Sequence, residues 1–269
     1  MTVKMKPSRV LTKMRAGEIA TCVKLNLSDP VATEIAGLCG FDCVWLDQEH
    51  LPHTSPTIAN HIRAAKMHDM DALVRVPRGS YSQLIGPLEL DASGIMVPHV
   101  MSLADAKAVI HQTRFHPVGR RPWDGGYTDG AYCMMPPLDY MSQANEQRFV
   151  IVQIEDPEPL DDLEAIAALE GIDMLFFGPG DFSQGIGAPA QWDHPKITAT
   201  RQRVASVARE HGKFAGTVGG VSNFQSLVDM GYQFINVGAD VVALSDYFKQ
   251  IINSLHGTEK SDEQSIDAK

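Results

Sequence analysis

Eight short β-rich runs, separated by segments with helical periodicity, constrain this chain more than any other feature. They span 21–27 (TCVKLNL), 42–48 (DCVWLDQ), 72–77 (ALVRVP), 94–100 (GIMVPHV), 149–155 (FVIVQIE), 174–179 (MLFFGP), 214–220 (FAGTVGG) and 234–240 (FINVGAD). Helix punctuation lies between them: Asp29-Pro30 and Ser55-Pro56 as starts, Ser102 as an N-cap, Gly40 and Gly212 as stops. Strands that alternate with helices pair in parallel through right-handed crossovers. Eight such units in 269 residues predict an α/β fold, a (β/α)8 TIM barrel. The expected layout is one barrel domain over residues 1–256, capped by the short helix in RVLTKMRAG, then a polar tail over 257–269. A doubly wound open sheet is the structural alternative. It would carry a Gly-rich loop after its first strand, and NLSDP is not one.

Alternation along a barrel strand sends successive side chains to the interior and to the helices. If the apolar members Val23, Leu25, Val44, Leu46, Val74, Val76, Val150, Val152, Ile154, Ile235 and Val237 meet the helices, the other parity points inward. That parity collects Lys24, Asn26, Asp47, Glu49, Arg75, Gln153, Glu155 and Asn236, most of them near the C-terminal ends of their strands. A barrel core favours branched apolar residues, and one unpaired buried charge costs several kcal/mol. An ion-pair network built only for structure is one reading. An active site at the C-terminal mouth accounts for the placement better.

The formal net charge is −10, so no basic surplus exists to neutralise nucleic-acid or lipid phosphates. Cys22, Cys39, Cys43 and Cys133 form no C-x-x-C pair, and the first three are expected to be buried free thiols. The expected compartment is therefore the reducing cytoplasm. The N-terminus has no apolar signal core, and no run approaches the length of a membrane span. The polar tail is expected to be disordered or to order on a neighbour.

Glu155 ends the fifth strand and Asp181 follows the sixth in FFGPGDFS. Two carboxylates on neighbouring strand ends repel unless a cation lies between them. Hard oxygen ligands with room for water suit Mg²⁺ or Mn²⁺. Alone, Asp181 also reads as an N-cap for the turn before FSQGIG, a reading that weakens once Glu155 is considered with it. The GPGD turn offers backbone N–H groups that would cradle a substrate carboxylate.

FDCVWLDQEH, LVRVP, GIMVPHV, VQIED and GPGDFSQGIG together resemble the metal-dependent class II pyruvate aldolases of the 4-hydroxy-2-oxoheptanedioate and 2-keto-3-deoxy-rhamnonate type. The likeness runs in order from about residue 8 to residue 250. It implies reversible cleavage of a 4-hydroxy-2-oxo acid to pyruvate and an aldehyde. Glu155 and Asp181 would hold the divalent metal, with Co²⁺ and Zn²⁺ as alternatives to Mg²⁺ and Mn²⁺. Arg75 would stabilise the enolate, and the N–H groups of Gly180 and Asp181 would bind the keto-acid carboxylate. His50 would be the acid–base group and Glu89, where the family usually has Asp, its partner. Asp47 and Glu49 would orient metal-bound waters, with Gln153 beside Glu155. Arg121 aligns with a family arginine on the substrate side. Pro122 and Trp123 replace its usual small neighbours, so Arg120, Trp123 and Tyr127 either reshape the aldehyde pocket or pack on another subunit.

Three rivals remain. Lys24 could form a Schiff base, a related lyase or synthase could condense an oxaloacetate-derived enolate, or the barrel could bind a keto acid without catalysis. The final helix carries more apolar surface than one barrel-facing stripe needs. Relatives exchange that helix and assemble as trimers of dimers, so a homohexamer is expected.

Overall fold

The computed structural model describes residues 3–256, and the tail expected over 257–269 lies outside them. Eight parallel strands close into a barrel in sequence order. They are β1 (Ala20–Leu25), β2 (Cys43–Asp47), β3 (Asp71–Arg75), β4 (Gly94–Val97), β5 (Phe149–Ile154), β6 (Met174–Phe177), β7 (Phe214–Gly219) and β8 (Phe234–Ala239). β1 closes the ring on β8, so the open-sheet alternative is excluded.

The crossovers begin as their sequences dictate. In α2 (Val31–Leu38) the chain enters after Asp29-Pro30 and leaves through Gly40 at φ +92°. In α3 (Ser55–Met67) the Thr54 hydroxyl accepts from the Thr57 N–H at 3.4 Å. α4 (Tyr81–Glu89) opens with a capping box of Ser80 and Gln83. In α5 (Leu103–Thr113) the Ser102 hydroxyl accepts from Asp105 N–H at 3.2 Å. α6 (Pro137–Gln147), α7 (Leu163–Ala167), α8 (Pro179–Gly185), α9 (Pro195–Glu210), α10 (Phe224–Met230) and α11 (Asp240–His256) follow, after α1 (Arg9–Arg15) at the start. α8 is a helix where only a turn was expected, and its N-cap is Gly178, so Asp181 sits in the first turn rather than at the cap.

The inward and outward parities are those expected. Val44, Leu46 and Val74 pack outward among α2 and α3 residues, and Val150, Val152, Ile154 and Ile235 pack outward in the larger shell. Inside, Cys22, Cys43, Trp45, Leu73, Met96, Phe149, Ile151, Met174, Phe176 and Phe234 form an apolar plug. Val10, Leu11 and Met14 of α1 join that plug, so the short helix closes the N-terminal end. Cys22 and Cys43 are buried free thiols as expected, but Cys39, at the solvent end of α2, is exposed. The last turn of that helix leaves its thiol no covering element. Among the described residues, no helix is long and apolar enough to cross a membrane.

Helices of such a barrel run back to the strand starts, so α4 and α5 both end at the N-terminal face. The long connection from Arg114 to Pro136 therefore lies at that face, opposite the strand ends. Arg121 anchors it, donating to Glu89 at 2.5 Å and to Asp129 at 2.7 Å, with its guanidinium 4.7 Å from the Phe115 ring. α11 behaves differently from the other helices. None of its residues is buried, and Val242, Leu244, Phe248, Ile251, Ile252 and Leu255 are all exposed.

The interior leaves no room at Gly94, where an added Cβ would collide with the ring of Phe149. Gly94→Ala should cost about 1–3 kcal/mol by overpacking, read as a lowered urea midpoint at unchanged slope. An unchanged midpoint would show that the plug relaxes freely there.

Candidate active site

The polar parity of the strands meets above the plug. Trp45 forms the floor, with the Arg75 guanidinium 4.9 Å and the Lys24 ammonium 5.2 Å from its ring centre. Arg75 grips Asp47 bidentately, through Nε at 3.1 Å and Nη2 at 2.5 Å. Lys24 joins the same carboxylate at 2.8 Å. The backbone N–H of Glu49 also donates to Asp47, at 3.0 Å, which shapes the turn carrying Glu49 and His50. Burial alone would raise the Asp47 carboxyl. The hydrogen bonds and charge of Arg75, with Lys24 behind, hold it well below the usual range instead.

Glu49 takes the remaining arm of Arg75, with Nη1 at 3.0 Å. The His50 imidazole stands 3.6 Å from Glu49 Oε2 and is largely exposed. Across the barrel, Glu155 is 1% exposed, and its two oxygens are taken up separately. Oε1 accepts the backbone N–H of His99 at 2.8 Å, and Oε2 accepts the Gln153 amide. Burial pushes the Glu155 carboxyl up to about 7; the His99 N–H opposes this, and Glu49 adds to it. Asp181 is partly exposed and accepts from Gln184 at 3.1 Å. Gly180 and Asp181 occupy the first turn of α8, where N–H groups have no carbonyl partner within the helix.

The structure thus brings together Asp47, Glu49, His50, Arg75, Gln153 and Glu155, with α8 presenting Gly180 and Asp181 beside β6. It does not bring Glu89 or Arg121 to them within one chain. Both lie at the opposite face, bound to each other, and Arg121 is buried. The 116–139 connection lies at that same end, because α5 delivers it there.

One pair escaped the sequence reading. His99 sits in the left-handed region at φ +48°, and its Nδ1 bonds Asp156 at 2.8 Å. Burial would lower its pKa, but Asp156, Glu155 and Glu49 raise it. The signal was present: an imidazole two residues past a barrel strand, in GIMVPHV.

The model of one family, described as HpcH/HpaI aldolase/citrate lyase, matches residues 21–246. The chain belongs to this family. A 5-keto-4-deoxy-D-glucarate aldolase of Klebsiella pneumoniae is 30% identical to this HpcH/HpaI member over 236 residues, covering 87% of this chain and 91% of that one. A solved citrate synthase, SbnG, shares 28% identity at a TM-score of 0.84, covering 91% of this chain and 96% of that one. An HpcH/HpaI aldolase from Desulfitobacterium hafniense DCB-2 shares 25% identity at 0.87, covering 94% and 98%.

A divalent metal suits the donors present. Among the described residues, no three or more His, Cys, Asp or Glu side chains are arranged to hold an ion. The buried carboxylate of Glu155 and that of Asp181, on the helix after the next strand, are hard oxygen donors of the kind a cation that keeps water and substrate positions takes. Glu155 and Asp181 would hold it.

Linkage gives this a sign. The folded pKa of Glu155 lies above its unfolded value. Its proton therefore stabilises the metal-free fold at low pH, and that stability is lost as pH rises toward 7. A cation that replaces the proton should raise Tm more at pH 8 than at pH 5.5, and Glu155→Gln should abolish the rise. A pH-independent shift that survives Glu155→Gln would place the cation elsewhere.

Proposed function

We propose that this HpcH/HpaI family member is a divalent-metal-dependent pyruvate aldolase, reversibly cleaving a 4-hydroxy-2-oxo acid to pyruvate and an aldehyde. The observation carrying this reading is the buried Glu155, which feels the charges of Arg75 and Glu49 and lies against Gly178 at the N-cap of α8. Bound by Glu155 and Asp181, the cation would supply Lewis-acid polarisation of the keto oxygen. The N–H groups of Gly180 and Asp181 hold the keto-acid carboxylate. Arg75 is already fixed by Asp47, so it meets the developing enolate oxygen without rearranging. His50 accepts the C4 hydroxyl proton, directly or through water. The C3–C4 bond then breaks, the aldehyde leaves, and C3 takes up a proton to give pyruvate.

The Lys24 Schiff base fits poorly, since its ammonium is ion-paired to Asp47. A synthase or lyase acting on an oxaloacetate-derived enolate is the second reading, favoured by the likeness to the citrate synthase SbnG. It would use the same enolate site with another electrophile. The physiological setting we infer is cytoplasmic, in keeping with four free cysteines.

The reading also requires a second copy. Glu89 can partner His50 only between chains, because the two lie at opposite barrel ends. α11, none of whose residues is buried, supplies an exchangeable element. An apolar groove lined by Phe41, Val221, Phe224 and Val237 beside β1 and β8 would receive it. We therefore place the protein in a homohexamer, a trimer of dimers, whose neighbours bring Trp123 and Tyr127 toward one another's barrel mouths.

Glu155→Ala and Asp181→Ala should each abolish cleavage with the fold retained by circular dichroism, and full activity after exhaustive chelation would end the reading. Arg75→Lys keeps charge but loses the planar fork, and turnover should fall about 10²-fold or more. For assembly, removal of the chain from Val241 onward should give monomers or aggregates with little activity. Sedimentation of the full chain as an active monomer at micromolar concentration would refute the hexamer.

A further inference from the structure

His99 is built into the mouth more firmly than a surface histidine needs to be. Its N–H is held by Glu155 at 2.8 Å, and its carbonyl accepts from Arg78. Its Nδ1 is held by Asp156 at 2.8 Å. Its backbone adopts a positive φ, +48°, that L-residues other than glycine rarely take. Three restraints and a strained backbone leave one group free to act: Nε2, on a side chain 37% exposed to solvent.

That nitrogen has a counterpart. His50 Nε2 stands 3.6 Å from one oxygen of Glu49, and His99 Nε2 stands 3.6 Å from the other. Two imidazoles therefore flank a single carboxylate, both on the solvent side of the Trp45 floor. Neither distance is a hydrogen bond, so each Nε2 is available to a group placed between or above them. Both nitrogens border the same carboxylate, one beside each of its oxygens.

We propose that His99 is a specificity-determining residue, whose Nε2 hydrogen-bonds the oxygen next to the aldehyde-derived carbon while His50 serves that carbon's own hydroxyl. The inference rests on the pyruvate-aldolase reading and deepens it. His50 and His99 are the partly exposed groups next to Glu49 and Glu155, on the side where a second substrate would enter from solvent. Asp156 acts as a positioning residue, because its bond to Nδ1 fixes the ring and leaves Nε2 directed at the site.

The test compares three reactions of the full-length, metal-loaded protein: exchange of pyruvate methyl protons with solvent, addition of pyruvate to glyceraldehyde, and addition to propanal. Propanal has the same carbon skeleton without the neighbouring oxygens. His99→Asn suits the position, since asparagine tolerates positive φ and keeps the N–H to Glu155. It should lower the ratio of kcat/KM for glyceraldehyde over propanal about tenfold. The ratio of propanal addition to proton exchange should keep its wild-type value. Asp156→Asn, with His99 in place, should shift the glyceraldehyde-to-propanal ratio in the same direction by a smaller factor.

An unchanged glyceraldehyde-to-propanal ratio in His99→Asn overturns the assignment. An equal fall in all three reactions also overturns it, because His99 would then act only through Glu155. Wild-type protein that exchanges no pyruvate protons and adds neither aldehyde sinks the aldolase reading itself, a result distinct from normal exchange with an unaltered ratio.

Discussion

The Asp47–Arg75 pair is the interaction on which the rest of the site depends. Each member is buried in a barrel whose lower half is apolar. An unpaired guanidinium there would cost several kcal/mol, and so would an unpaired carboxylate. Bidentate geometry and the added ammonium of Lys24 offset that cost. The pair also sets direction. With Nε and Nη2 committed to Asp47, only Nη1 turns to Glu49 and the site, so one arm of Arg75 is aimed before any ligand arrives.

Everything above the pair is arranged around charge that the protein leaves incompletely compensated. Glu155 has hydrogen bonds to both oxygens but no lysine or arginine against it, and its carboxyl rises accordingly. Arg75 and Lys24 are spent on Asp47 and Glu49. α8 sets a second carboxylate, Asp181, and the N–H groups of Gly180 and Asp181 past the end of the neighbouring strand. His99 and Asp156 belong to the same economy of charge, since the imidazole lies among three carboxylates.

The two ends of the barrel differ in kind. The mouth holds polar side chains delivered by strand ends. The opposite end holds α1, the Arg121 anchor and the long connection with its exposed Trp123, Tyr127 and Tyr132. Beyond Asp240, which accepts the N–H groups of Asn26 and Leu27, α11 leaves the barrel wall and keeps its apolar face uncovered. A single chain therefore presents an apolar groove at one place and uncovered apolar helix surface at another.

The sequence by itself determined the barrel, since eight β-rich runs with helical spacers admit few closures. Period-2 alternation also determined which residues face inward, and so Lys24, Asp47, Arg75, Gln153 and Glu155 could be named together from the strands alone. Cys39 was misplaced because a short apolar neighbourhood in sequence does not say which helix end is covered. Only the tertiary structure decided that Arg121 and Glu89 sit at the far end, because a connection's face depends on where its preceding helix stops. It likewise decided that His99 reaches Glu49, because a positive φ after β4 turns the chain in a way strand parity does not encode. Local periodicity fixes direction within an element, whereas contacts between loops depend on how separate elements close in space.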